Sequence, residues 1–533
     1  MATIISKFFG LFRQLAIAAA FGTGPVANAY AYAYIIPGFL LILLGGINGP
    51  FHSAMVSALA KRDKKDSAPL VETMTTLVGT VLLVVTVLLI LGAPLLIDLV
   101  GPKLPDANKL LAIQQLRIMA PMALFAGLIG IGFGTLNAAD LYWLPSISPL
   151  FSSSALLLSL GIFAWSMGDI NLAAPDYSQM GGVALEGGTF ARSFAYIRLG
   201  GVALAGGTFA GAFIQWIVQA IAQWRSGLGS FRLRFNWRHP AVRDALKVMA
   251  PAVFASGTLQ INLFTDMAFA SPIPGAGAGF SYANLLVQTP LGIISNVILV
   301  PFLPVFSRLA APEHWDELKD RIRQGLILTA LTMLPLGALF VTLALPLVRT
   351  VYERGKFSAA DSALVASILV AYGIGMFVYL GRDVLVRVFY GLGDGTTPFR
   401  ISLVNIGLNV VFDYFLVKQF GAPGIVYATV GLNLVAMMAM LYFLDKRLNG
   451  LPWDALTKPI ALLIGASGIE GLAAWASRWG LEQWLGTEGF LPHIIQLGGA
   501  GLVGLVVFGA IATQLGLPEV EMLTGRIRQK LGR

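Results

Sequence analysis

Lys7 and Arg13 lie six residues apart inside the apolar stretch Ile4–Phe21, and Arg382, Asp383 and Arg387 lie inside another, Leu364–Phe389. A cation in such a run costs at least about 2.5–3.5 kcal/mol on insertion scales, so each needs a partner, water or an anionic ligand. A six-residue spacing puts Lys7 and Arg13 on different sides of a helix. Arg382 and Asp383 are adjacent, diverge by about 100°, and are expected to meet different neighbours. Anion binding is the chemistry open to these cations. The competing readings are a structural interhelix ion pair at Arg382 and Asp383 and, for Lys7, an ammonium that snorkels to the interface. A second constellation is built of oxygens. Asp266 follows Gln260 by six residues, and Asn405 and Asn409 are four apart, so they face one direction on a helix. Hard cations prefer such ligands. The alternative for the two asparagines is hydrogen bonding between helices, whereas an unpaired Asp266 at depth is expensive.

The elements that hold these residues are long apolar runs, among them Val81–Ile97, Ala123–Gly134, Leu150–Trp165, Leu326–Leu345 and Leu497–Ile511. A helix needs about 20 such residues to cross the hydrocarbon core. The 533 residues are 56% hydrophobic and 12% charged, against about 25% charged in soluble domains. The fold class is therefore an all-α polytopic membrane protein. Cysteine is absent, which excludes disulfides, Cys-ligated zinc and thiol chemistry. His52, His239, His314 and His493 show no metal-ligand spacing, which argues against a membrane-embedded glycosyltransferase or acyltransferase. The formal charge of +9 does not make a nucleic-acid surface in so apolar a chain. No phosphate-binding Gly-Lys-Ser/Thr loop is present, so an energy source is electrochemical or the substrate gradient. Ile4–Phe21 holds two charges and lacks a small-residue cleavage site, so it reads as a retained first span.

Windows of helix length give about fourteen spans, from 3–22 to 492–514, including 70–99, 112–138, 198–223, 244–271, 278–307, 324–349 and 362–393. Lys61, Arg62, Lys64 and Lys65 follow the second span, and Arg225, Arg232, Arg234, Arg238 and Arg243 the sixth. Arg308, Lys319, Arg321 and Arg323 follow the eighth, Lys446 and Arg447 the twelfth, and Arg526, Arg528, Lys530 and Arg533 the last. All fall on one side, which the positive-inside rule makes cytoplasmic, together with both termini. Arg349, Arg354 and Lys356 oppose the bias without reversing it.

Two stretches about 250 residues apart look alike. Pro94-Leu-Leu-Ile-Asp-Leu-Val corresponds to Pro346-Leu-Val-Arg-Thr-Val-Tyr, and Phe133-Gly-Thr-Leu-Asn to Phe389-Tyr-Gly-Leu-Gly. Six spans separate the copies, so the halves run parallel, an arrangement that places a substrate site between lobes near the midplane. A shorter duplication repeats Gly181-Gly-Val-Ala-Leu-Glu-Gly-Gly-Thr-Phe-Ala at Gly200; the second copy opens the sixth span and the first is expected in an external loop, Asp169–Tyr196.

The opening Ser6-Lys-Phe-Phe-Gly-Leu-Phe-Arg13-Gln14, with Phe21-Gly22 and Ala27-Asn28-Ala29, resembles that of the MurJ (MviN) lipid II flippase family. Gln260-Ile-Asn262, Tyr282-Ala-Asn-Leu, Pro290-Leu-Gly-Ile, Pro301-Phe-Leu-Pro-Val-Phe-Ser and Phe389-Tyr-Gly-Leu-Gly-Asp394-Gly-Thr-Thr-Pro398 are similar to that family's pattern as well. The resemblance implies a fourteen-helix fold of the MOP exporter (MATE-like) superfamily: an N-lobe at 1–238, a C-lobe at 239–447, and two further helices with a cytoplasmic tail at 448–533. It implies export of undecaprenyl-pyrophosphate-linked muropeptide, lipid II, across a bacterial inner membrane by alternating access, alongside cell-wall synthesis proteins. Arg13 matches a cavity arginine of the family; Lys7, Arg387 and Arg382 would assist it at the pyrophosphate. Some members resemble a sodium site that Asp266 and Asn405 match directly. Asn409 stands where Asp is typical, and Thr429 is the fourth ligand.

The chain also departs from the family. Gln14 and Asn28 replace acids, Pro37-Gly-Phe-Leu-Leu-Ile-Leu-Leu-Gly-Gly lacks the usual arginines, and Asn284-Leu285-Leu286 replaces an Asp-Arg-Leu pattern. Acids and bases are lost together, as replacement of buried pairs requires. The expectation is a transporter, not an enzyme. A MOP exporter of another lipid-linked oligosaccharide, a cation-coupled drug exporter, and a scaffold for synthesis enzymes are the alternatives. Lys7 and Arg13 argue against the drug exporter, and tolerance of losing Arg13 would mark the scaffold.

Overall fold

The computed structural model describes residues 2–46, 49–59, 64–167, 187–230, 232–236, 238, 242–243, 249, 261–486 and 489–521. Lys61, Arg62, Gln260, Gly181–Glu186 of the duplication, and Arg526–Arg533 lie outside these residues. Among the described residues the regular elements are helices. The first nine are α1 (Ala2–Phe21), α2 (Pro25–Gly45), α3 (Pro50–Leu59), α4 (Lys64–Val100), α5 (Asp106–Met119), α6 (Met122–Ala138), α7 (Trp143–Met167), α8 (Gly187–Arg225) and α9 (Ile261–Ala270). There follow α10 (Ala276–Arg308), α11 (Trp315–Thr342), α12 (Ala344–Tyr352), α13 (Ala359–Gly391), α14 (Thr396–Phe420), α15 (Ala422–Arg447), α16 (Trp453–Leu485) and α17 (Phe490–Gln514). Eleven segments among the described residues are long and apolar enough to cross a bilayer, with α2–α3 and α5–α6 each counted as one. α1 adds a shorter apolar stretch, Phe8–Phe21. The chain is a polytopic helical membrane protein. Leu88, Leu91, Leu95 and Leu99 of α4 and Leu472, Trp475, Trp479 and Trp484 of α16 point outward, a surface suited to lipid and its interfacial aromatic belt.

The chain divides into two compact units, 1–278 with 354–358, and 279–353 with 359–533. In the first, α2 packs on α6 where glycine lets backbones approach: a Cβ at Gly45 would sit 2.9 Å from the Ala126 carbonyl oxygen, and one at Gly130 would strike the Leu44 carbonyl oxygen. In the second, Gly337 of α11 and Gly373 of α13 meet in the same way, a Cβ at Gly337 falling 2.5 Å from the Gly373 carbonyl oxygen. Leu326, Ile327, Met333, Met376, Leu380, Met440, Leu463 and Phe508 form one core that joins α11, α13 and α15 to α16 and α17.

Proline shapes the two halves differently. Proline lacks an N–H and its ring crowds the carbonyl four residues earlier. α4 nevertheless runs through Pro94, and the Ile90 carbonyl so released accepts from Arg117 Nε of α5 at 3.3 Å. The corresponding Pro346 accompanies a real break: the expected span 324–349 ends at Thr342 and resumes as α12. The Thr342 carbonyl accepts from Arg478 Nη1 of α16 at 3.2 Å. The next span reverses the contrast. Pro121 separates α5 from α6, while α13 is one helix of 33 residues. The duplication also differs from expectation: α8 begins at Gly187, so the end of the first copy is helical and not loop.

Candidate functional site

In the first unit, α1 carries Arg13 into a polar spot among apolar helices. Its Nε is buried and has no hydrogen-bond partner, an orphan donor of the kind that suits an anion. Tyr30 of α2 lies within electrostatic reach of it. Thr208 Oγ1 donates to the Leu204 carbonyl at 2.7 Å, so Tyr30 Oη is the donor in its 2.9 Å bond to Thr208. Tyr30 also stacks on Tyr34, with ring centroids 5.4 Å apart. The hydroxyl protons of Tyr30 and Thr208 are thus already engaged, and the Arg13 Nε–H is the donor left open to an anion. Lys7 lies on α1, and its side chain is outside the described residues. Asn28, where the family has an acid, is buried and accepts the Ala278 N–H through Oδ1 at 3.4 Å; an amide oxygen serves there without a charge to compensate. His52 is structural: its Nε2 meets the Asn137 amide nitrogen at 2.8 Å.

In the second unit, Arg382 of α13 does not diverge from its neighbour as expected. Its Nη1 lies 3.8 Å from Asp383 Oδ1, and its Nη2 donates to Ser402 Oγ of α14 at 3.3 Å. Arg382 therefore ties α13 to α14, with Nε buried and unbonded. Arg387 sits one turn further along α13, partly buried.

α14 is turned inside out. Apart from Pro398, its buried residues are Asn405, Asn409 and Asp413, spaced by four along one face, while Leu403, Val404, Val410, Val411 and Phe415 are exposed. Asn405 Nδ2 donates to the Leu432 carbonyl of α15 at 3.1 Å, leaving its Oδ1 as an acceptor. Both side-chain polar atoms of Asn409 are buried without partners. Thr429 of α15 donates to the Ile425 carbonyl at 3.1 Å. Three of the four expected cation ligands thus stand on the α14–α15 pair. Asp266, partly buried on α9, belongs to the first unit. Asp413 completes the buried polar face. Among the described residues no three His, Asp or Glu side chains cluster as metal ligands.

Outside the membrane spans, Asp394 gathers the α13–α14 turn. Its carboxylate accepts from Thr396 N–H at 3.1 Å, Thr397 N–H at 3.0 Å, both threonine hydroxyls, and Arg447 Nη1 at 3.1 Å. Burial raises its pKa, but the threonine hydrogen bonds and Arg447 outweigh that and hold it at about 2. Glu72 of α4 likewise takes the Ser230 N–H at 2.9 Å, the Ser230 hydroxyl and Arg234 Nε at 2.6 Å. Arg323 of α11 pairs with the buried Glu519 at 2.9 Å. Arg117, Arg478, Glu72 and Glu519 were not singled out from sequence. For the two arginines a signal existed: each proline marks the carbonyl that needs a donor.

A family model described as lipid II flippase MurJ matches residues 17–494. A protein of Synechocystis sp. named probable lipid II flippase MurJ is 52% identical over 533 residues, covering 100% of this chain and 96% of the relative. The lipid II flippase MurJ of Burkholderia cenocepacia is 27% identical over 491 residues, covering 89% and 88%. Among solved structures, a lipid II flippase MurJ in an inward closed conformation aligns with a TM-score of 0.70 at 20% identity, covering 100% of this chain and 99% of that one. An inward-facing multidrug resistance MATE transporter of the MOP superfamily aligns at 0.61 and 15% identity, covering 83% and 94%. At those identities the structures speak to the fold alone, a helical fold this chain shares with both.

Proposed function

The chain belongs to the lipid II flippase MurJ family, and on that premise we propose that it carries lipid II from the inner to the outer leaflet of a bacterial inner membrane by alternating access. The observation that carries this reading is Arg13: a guanidinium on an apolar helix whose buried Nε has no partner. A pyrophosphate supplies the missing acceptor and charge. Lys7 adds positive potential from the same helix; the other cationic candidates, Arg382 and Arg387, lie in the second unit. Both termini face the cytoplasm, in keeping with the basic loops.

Sodium is the coupling ion that suits the oxygen ligands. Asn405, Asn409 and Thr429 of the second unit would hold it; the buried, unpartnered Oδ1 of Asn409 fits a hard cation. When bound, the ion supplies a charge that biases one transport state over the other. The membrane potential is the alternative source of that bias.

The test replaces the protein of a flippase-depleted cell with this chain, as wild type and as Arg13→Ala, and reads protease or toxin access to lipid II at the outer surface. Wild type is expected to restore access, and a normally inserted Arg13→Ala to fail. Rescue by Arg13→Ala would remove the anion site from α1 and favour a scaffold. Failure of stably inserted wild type would redirect the substrate to another lipid-linked oligosaccharide, in line with the missing basic residues of α2.

A further inference from the structure

Glu470 lies near the middle of α16, away from the helix's other charges, Asp454 and Lys458 toward one end and Arg478 and Glu482 toward the other. It is 0% exposed, and both carboxyl oxygens are buried with no hydrogen-bond partner among the described residues. α16 packs on α11 and α17. A Cβ added to Gly504 of α17 would lie 3.3 Å from Glu470 Cγ and 3.2 Å from both Leu339 and Ala474, so the side chain enters a glycine notch walled by aliphatic carbon. The adjoining Gly471 rests on Thr342 and Ala338 of α11.

Among the described residues no counter-ion faces this carboxyl. α11 carries no ionisable residue from Leu326 to Thr342. The titratable residue of α17 is His493, eleven positions from Gly504 and roughly 16 Å along the axis. Arg478 is two turns away, about 12 Å, and is engaged by Glu482 at 2.7 Å and by the Thr342 carbonyl. Ser467, one turn along the same face, has a buried and equally unbonded hydroxyl. One carboxyl and one hydroxyl fall short of the oxygen shell a hard cation takes. An isolated carboxylate in such a place costs several kcal/mol, whereas the neutral acid keeps only a modest hydrogen-bonding demand.

We propose that Glu470 is a proton-binding site: a carboxylic acid held neutral at pH 7 between α11, α16 and α17, and therefore a target for a hydrophobic carbodiimide. Its charged form is compatible only with water at this interface, so parting α16 from α11 and α17 releases a proton and closing takes one up. In the modification, the acid proton passes to a carbodiimide nitrogen while the carboxyl oxygen adds to the central carbon. The O-acylisourea then rearranges to a stable N-acylurea with no leaving group.

The experiment uses the full chain in lipid nanodiscs at pH 7. The infrared difference between wild type and Glu470→Gln is expected to show the carbonyl stretch of a protonated carboxylic acid, lost in the variant. Dicyclohexylcarbodiimide followed by peptide mass analysis is expected to label the Glu470 peptide and not the Asp454 peptide, with loss of the adduct in Glu470→Gln. Carboxylate stretches in place of the acid band would overturn the proton site. An acid band without any adduct would uphold the proton and overturn the modification. Neither readout depends on flippase activity.

Discussion

Pro94 in the first unit and Pro346 in the second occupy corresponding places in the repeated Pro-Leu stretches, and each deprives a carbonyl four residues earlier of its helical N–H. Arg117 of α5 answers Ile90 from the neighbouring helix, and α4 stays continuous. Arg478 answers Thr342 from α16, outside the repeat, and α11 ends there. The same pairing of halves recurs at the other end of these helices. Glu72 of α4 holds the half-exposed Arg234, whereas Arg323 of α11 holds Glu519, which is 2% exposed. The first half closes its polar defects with its own segments. The second half uses what is appended to it, Arg478 of α16 and Glu519 beyond α17, so that appendage belongs to the second unit's stability.

That difference has measurable consequences. Arg323→Ala is expected to cost the most, about 3 kcal/mol, because it strands a buried carboxylate. Glu72→Ala leaves an arginine already near solvent and is expected to cost about 1–2 kcal/mol, read as denaturant midpoints in detergent and as faster amide exchange over 230–236. Equal costs would erase the asymmetry. Arg478→Ala comes next, about 1–2 kcal/mol, since it frees both the Thr342 carbonyl and Glu482. A double-mutant cycle with Pro346→Ala sharpens the cause. Restoring an N–H at 346 gives Thr342 its own donor, so the Arg478→Ala penalty is expected to shrink; an unchanged penalty would assign Arg478's role to Glu482 alone. Arg117→Ala, at an exposed site, is expected to cost no more than about 1 kcal/mol.

The smallest effect lies in the Asp394 turn. Its pKa of about 2 is below the ordinary aspartate value of 3.8, so its stabilisation is present above the unfolded value and is lost as pH falls through the folded one. Asp394→Asn is expected to flatten the stability profile between about pH 4 and 2, and Asp394→Ala to cost about 0.5 kcal/mol by freeing the Thr396 and Thr397 N–H groups. A profile that is flat in wild type would show that Arg447 and the threonines do not hold the charge.

Much of the candidate site was legible in the sequence because its signal is local. Arg13 is a charge in an apolar run, and Asn405, Asn409 and Asp413 are polar residues at helical spacing; the structure puts all three on the one buried face of α14. Arg382 was read on the right helix with the wrong neighbourhood, because a long side chain can fold back over an adjacent residue to reach Ser402. Glu470 gave no comparable signal: one acid in a long span reads the same whether it meets water, lipid or glycine.

Sequence by itself determined that this is an all-helical membrane protein with parallel repeated halves, a cation in its first span, and a proline at corresponding places in the two halves. Those properties follow from composition and from period, both settled along the chain itself. Only the tertiary structure decided which arginine reaches which carbonyl, which acid is left without a counter-ion, and that α11 breaks at Pro346 while α4 continues through Pro94. Each depends on helices tens to hundreds of residues apart, where the identity of the neighbour is set by packing and not by spacing along the chain.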